Sequence, residues 1–175
     1  MKKVIIYFHG YGSSAMSTKV DTLKEHFPLT YSYDIDADPS VSLNSLNKNI
    51  DDLLLSHKYL NDEELLLVFV GTSLGAWYAE RLGLMYKAKM VLVNPCFSPS
   101  KTLLELGLDK SIADKYDDMS FDGDSIVIIA EDDELIDFSP ILDKTSNKLI
   151  KSKTGGHRFN GEEFNLVINH IKSII

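Results

Sequence analysis

The chain reads as an α/β protein, a three-layer sandwich of about six mostly parallel strands with helices on both faces. Three observations lead there. Short apolar runs alternate with longer segments whose apolar residues recur at helical spacing, in the order β-α-β-α-β-α-β-(insert)-β-α-β-α. The run Leu65 to Val70 is apolar throughout, as a strand buried on both faces must be. Finally, residues capable of chemistry stand at strand ends, namely His9-Gly10, Ser73, Asp133 and His157, and ligands bind at the carboxyl ends of such strands.

Bulk properties narrow the class. A length of 175 residues suits one domain with a full core. The net charge of −8 disfavours nucleic acid and anionic membrane as partners. No run approaches a membrane span, and the apolar Val4–Phe8 is too short for a signal peptide. The single cysteine, Cys96, permits neither an intrachain disulfide nor a cysteine zinc site, and it fits a reducing, cytoplasmic setting. Its expected role is packing.

Taken in order, Val4–Phe8 is the first strand and ends in His9-Gly10-Tyr11-Gly12-Ser13-Ser14. A helix is expected from about Ser17 to Phe27, with Met16, Val20, Leu23 and Phe27 on its apolar side and Ser13 or Ser14 as cap. Leu29–Ile35 reads as a short strand. Asp34 to Pro39 reads as a solvated turn, because Pro39 and Ser45 stand where a calcium loop needs Gly and Glu. Leu43, Leu46, Ile50, Leu53 and Leu54 form the stripe of a helix to about His57. A loop at 61–63 leads into the central strand.

A helix follows from Leu74 to Tyr86, with Trp77, Leu82 and Met85 for the core. Met90–Val93 is the next strand, closed by Asn94-Pro95. Residues 96–124 form an irregular insert with one short helix around Leu103, Leu104 and Leu108. This insert, with Trp77, is expected to line or cover any site at the strand ends. Ile126–Ala130 is a strand, Phe138–Lys144 a short helix and Lys148–Lys151 a weak last strand. The final helix starts near Gly161 and buries Phe164, Val167, Ile168, Ile171 and Ile174.

The central motif is Gly71-Thr72-Ser73-Leu74-Gly75, directly after a buried strand and before a helix. That context makes a nucleophile elbow, in which a tight turn lifts the serine hydroxyl above the sheet. Gly71 and Gly75 let the turn close. Serine needs a base within reach, and the base needs a carboxylate to hold its tautomer. Among five histidines, His26 and His57 suit helix C-termini, His170 lies within the last helix and His9 shapes a loop. His157, in a glycine-rich loop after the last strand, is the candidate base. Asp133 is the candidate acid and Asp137 the alternative, in an acidic run otherwise expected to be solvated. An oxyanion hole would use the backbone N–H groups of Leu74 and Tyr11, the latter freed by Gly10 and Gly12.

Together these stretches resemble the α/β-hydrolase superfamily, and within it the small bacterial esterases of the YqiA/UPF0227 type. The resemblance rests on Tyr7 to Ser14, Gly71 to Ala79, Val93-Asn94-Pro95, Asp133 to Phe138 and Gly155 to Phe159. It implies an α/β-hydrolase fold without a large cap, and esterase activity through Ser73, Asp133 and His157. Ala130 stands where many hydrolases have Gly three residues before the acid, and Cys96 where a small residue often follows Asn-Pro. The expected partner is a small ester or acyl thioester; no metal or other cofactor is needed, because the triad generates its own nucleophile. The competing expectation is a non-catalytic, hydrolase-like binding or scaffold protein.

Overall fold

The computed structural model describes residues 2–61, 64–145 and 148–175. Six strands, β1 (Lys2–Phe8), β2 (Thr30–Ser32), β3 (Leu65–Thr72), β4 (Lys89–Val93), β5 (Ser125–Ala130) and β6 (Leu149–Ser152), form one sheet in the order β2-β1-β3-β4-β5-β6. Every neighbouring pair is parallel. The helices are α1 (Thr18–His26), α2 (Pro39–Asn61), α3 (Leu74–Tyr86), α4 (Pro99–Glu105), α5 (Lys110–Ala113), α6 (Leu142–Thr145) and α7 (Phe164–Ile174).

Strand alternation divides the core in two. Val4, Ile6 and Phe8 of β1 join Phe69, Met90, Leu92, Val127 and Ile129 against α2, α3 and the 96–124 segment. Ile5 and Tyr7 join Val68, Val70, Val91, Val93 and Ile128 against α1 and α7. Both sets are buried, so these strands carry no polar face.

The path of the chain creates the site. From β1 it moves to one side, to β2, and then crosses to the other, to β3. At such a reversal the loops leaving β1 and β3 diverge, opening a crevice above their carboxyl ends. Ser73 follows β3 and the Gly10–Gly12 loop follows β1.

Local expectations meet tertiary constraints in several places. Met16 lies outside α1 and is 92% exposed, since the helix begins only at Thr18. Neither Ser13 nor Ser14 caps α1; Ser17 holds the N-cap position, and the Ser14 hydroxyl donates to Met16 O instead. The second strand shrinks to Thr30–Ser32, because only these residues pair with β1. Helix α2 runs past His57 to Asn61, and His57 Nε2 sits 3.2 Å from the Tyr31 hydroxyl rather than at a helix end. Of the loop expected at 61–63, Asn61 belongs to α2 and the rest lies outside the described residues. Met85 faces solvent at 62% exposure. The 96–124 segment holds two short helices, α4 and α5, rather than one. The final helix starts at Phe164, after a single 3₁₀ turn over Gly161–Glu163.

The acidic turn before α2 is held by its own backbone. Asp36 Oδ1 accepts from Asp38 N–H at 2.8 Å, and Asp38 Oδ1 from Ser40 N–H at 2.9 Å. Lys115 pairs with the Asp38 carboxylate, tying this turn to the segment after α5.

Candidate active site

Ser73 occupies a sharp turn with φ 53° and ψ −121°, a backbone that L side chains rarely adopt. The neighbours enforce it. A Cβ on Gly75 would lie 2.0 Å from Phe8 O, and one on Gly71 would lie 2.3 Å from Gly75 O. Only glycine lets α3 seat this closely on β1 and β3. The turn is further held by Ser73 N–H donating to Val93 O at 2.9 Å and Cys96 N–H donating to Ser73 O at 3.1 Å. Beneath it, the buried hydroxyls of Tyr7 and Thr72 lie 2.8 Å apart and join the ends of β1 and β3.

Above the sheet the three predicted side chains converge. Ser73 Oγ lies 2.9 Å from His157 Nε2. His157 Nδ1 lies 2.9 Å from Asp133 Oδ2 and 3.2 Å from Oδ1. With a carboxylate facing Nδ1, the proton sits there and the Nε2 lone pair accepts from the serine hydroxyl. Asp133 Oδ1 also accepts the N–H groups of Leu135 and Ile136 at 2.8 and 2.9 Å. The Asp133 side chain is only 1% exposed. Burial pushes its carboxyl up, but the His157 N–H and the two amides outweigh that and hold it below the usual carboxylate range. Asp137 is not part of the group: its carboxylate accepts from the amide and hydroxyl of Ser139.

His9 and His26 have other partners. His9 is buried; its Nδ1 donates to Gly10 O at 2.9 Å and its Nε2 accepts Ile35 N–H at 3.2 Å, so it braces the loop after β1. His26, at the end of α1, lies 3.4 Å from Lys172 Nζ. Among the described residues, the backbone N–H groups of Tyr11 and Leu74 donate to no protein acceptor, and both residues border the cavity beside Ser73. The first residue of a helix has no intrahelical acceptor for its N–H, which leaves that of Leu74 free to face a ligand.

Three polar residues hold the His157 loop. Asn94 Nδ2 donates to Gly156 O at 2.8 Å and His157 O at 3.1 Å, while its Oδ1 accepts Ala130 N–H at 2.8 Å. Asp132 Oδ1 accepts Gly156 N–H at 2.8 Å, and Glu134 Oε2 accepts His157 N–H at 2.9 Å. Both backbone N–H and both backbone C=O groups of Gly156-His157 are therefore held by side chains from the ends of β4 and β5. Apart from Asp133, the acidic run is exposed as expected, and two of its members also clamp this loop. The only signals in the sequence were the Asn-Pro pair closing a strand and the excess of acids after another.

A cavity of about 150 Å³ adjoins Ser73 and His157. Leu74, Cys96, Leu103, Leu106 and Ile136 make its wall largely apolar. Trp77, expected here, is instead buried beneath the 96–124 segment, where its indole N–H donates to Asp117 O at 2.8 Å. Burial pushes the Cys96 thiol up to about 11, with a Thr102 hydrogen bond only partly offsetting it. That keeps it a thiol, a packing group rather than a nucleophile.

Comparison with known proteins agrees with this architecture. The model of the uncharacterised protein family UPF0227 matches residues 4–121. A search of the curated proteins by sequence finds no match. Among solved structures, Est1E from Butyrivibrio proteoclasticus is similar at 15% identity and a TM-score of 0.70, covering 99% of this chain and 86% of its own. Est1E was also solved with ferulic acid bound; that structure has a TM-score of 0.72 at 14% identity, covering 99% of this chain and 88% of its own. An esterase from Pyrococcus furiosus matches at 14% identity with a TM-score of 0.68, over 99% of this chain and 81% of its own. At these identities the likeness establishes the α/β-hydrolase fold.

Proposed function

Because the chain belongs to the UPF0227 family and has the fold of α/β hydrolases and esterases, we propose that it is a serine esterase, cleaving small carboxylic esters or acyl thioesters through an acyl-enzyme. The observation that carries this reading is the continuous hydrogen-bond chain Ser73–His157–Asp133 beside an apolar cavity. The whole chain acts as one minimal hydrolase domain, with residues 96–124 walling the acyl side. Its single buried cysteine suits the cytoplasm.

Ser73 Oγ attacks the acyl carbonyl while His157 Nε2 takes its proton. Asp133, already favouring its charged form, stabilises the imidazolium and holds the Nδ1–H tautomer. The carbonyl oxygen, now an anion, receives the N–H groups of Tyr11 and Leu74. The C–O or C–S bond to the leaving group breaks, and His157 returns the proton to the departing alcohol or thiol. Water then attacks the acyl-enzyme with His157 again as base, and the carboxylic acid leaves with Ser73 restored.

A fluorophosphonate probe tests the reading on the intact chain. Stoichiometric label at Ser73, abolished in Ser73→Ala, is the expected result. Ester turnover should fall on the order of 10⁴-fold or more in the same variant. Folded protein that takes no label and hydrolyses no ester would instead mark a hydrolase-shaped binding protein.

A further inference from the structure

We propose that the cavity beside Ser73 is an acyl pocket selecting uncharged acyl groups of about four to six carbons. This rests on the esterase reading above and names its substrate class.

Depth is the first argument. The inner wall is made by core residues: Leu74, Cys96 and Leu103 are each no more than 2% exposed. The outer rim is made by Tyr11, Leu106 and Leu135, which are 45%, 53% and 59% exposed. An acyl chain entering from Ser73 therefore ends against residues that the core holds in place. The Cys96 amide is bonded to Ser73 O itself, so wall and nucleophile cannot separate without breaking the elbow.

Volume sets the length. The cavity measures about 150 Å³. An aliphatic cavity of roughly that size holds one benzene, about six carbons. Each methylene seated should raise kcat/KM about fourfold, the equivalent of ~0.8 kcal/mol, until the pocket is full. Charge sets the polarity. No lysine or arginine lines the cavity among the described residues, whereas Glu105, an exposed acid, stands at it. A carboxylate-bearing acyl group would lose water there and meet a like charge.

The test is a series of straight-chain p-nitrophenyl esters, from two to ten acyl carbons, with the succinate monoester beside butyrate. The expected kcat/KM climbs to a maximum between about four and six carbons and then levels or falls. Succinate should trail butyrate about tenfold, a gap narrowed in Glu105→Gln. A maximum at eight carbons or beyond, or a preference for succinate, overturns the pocket assignment and leaves the esterase reading standing. No turnover of any ester, with Ser73 unlabelled in folded protein, overturns both. Leu103→Ala should move the maximum toward longer chains. Should that variant not fold, Leu106→Trp at the exposed rim should lower hexanoate turnover relative to acetate, and an unchanged ratio counts against the proposal.

Discussion

Asp133 and Asn94 show how single side chains on different strand ends serve the same histidine. Asp133 accepts the His157 ring N–H and two backbone amides with one carboxylate. Its native carboxyl titrates below its unfolded value of about 3.9, so the stability it contributes is complete above that pH and is lost as pH falls through the lower native value. In denaturant unfolding, the stability gap between the wild type and Asp133→Asn should accordingly shrink as the solution is acidified below about pH 4. Asn94 sits at φ 42°, a left-handed backbone that Asn and Asp tolerate better than most residues. Asn94→Asp keeps size and backbone fit but replaces the two donated bonds to Gly156 and His157 with repulsion between oxygens. Its kcat should fall by about tenfold or more with KM little changed, since only the aim of the imidazole is altered. Equal kcat in the two proteins would show that the His157 loop holds its place unaided.

At the scale of elements, the decisive fit is α3 against β1 and β3. The helix begins at the residue after Ser73, and its second residue, Gly75, lies under the end of β1. Gly75→Ala places a methyl group 2.0 Å from a backbone oxygen that cannot rotate away. The helix must lift, at a cost of about 3 kcal/mol or more. Urea unfolding should register that loss, and the fluorophosphonate label should weaken with it. The other side of α3 anchors the 96–124 segment: Trp77 donates to Asp117 O, the Tyr78 and Tyr116 hydroxyls lie 2.9 Å apart, and buried Glu80 accepts the Ser120 and Phe121 amides. One helix thereby aligns the nucleophile turn below with the wall of the cavity above. Helical spacing made α3 legible, but spacing assigns a face only relative to a partner. Met85 and Met16 fit their stripes and still face solvent, because no element covers that part of either segment.

Across the whole molecule, the net charge of −8 acts on any charged ligand before contact. A polyanionic acyl thioester should therefore be cleaved faster as ionic strength rises from about 0.01 to 0.15 M, over which the screening length shrinks from ~30 to ~8 Å. A neutral ester should show no such trend, and stopped-flow or plate assays at fixed pH would separate the two. The parallel sheet supplies the other global condition. Every strand points the same way, so all the loops that follow them open on one edge. Residues far apart in the chain meet there without any long excursion of the backbone.

The alternation of strands and helices, the elbow around Ser73, and the placing of Asp133 and His157 after later strands are all legible in the order of the residues. These follow from side-chain periodicity and from the backbone freedom of glycine, which are properties of neighbouring residues. That Asp133 rather than Asp137 faces the imidazole, that Asn94, Asp132 and Glu134 grip the loop carrying it, and that Trp77 is buried against the 96–124 segment became visible only once the chain was folded. Those contacts join residues 23 to 63 positions apart. The alignment of strand ends fixes such distances, and no local pattern encodes it.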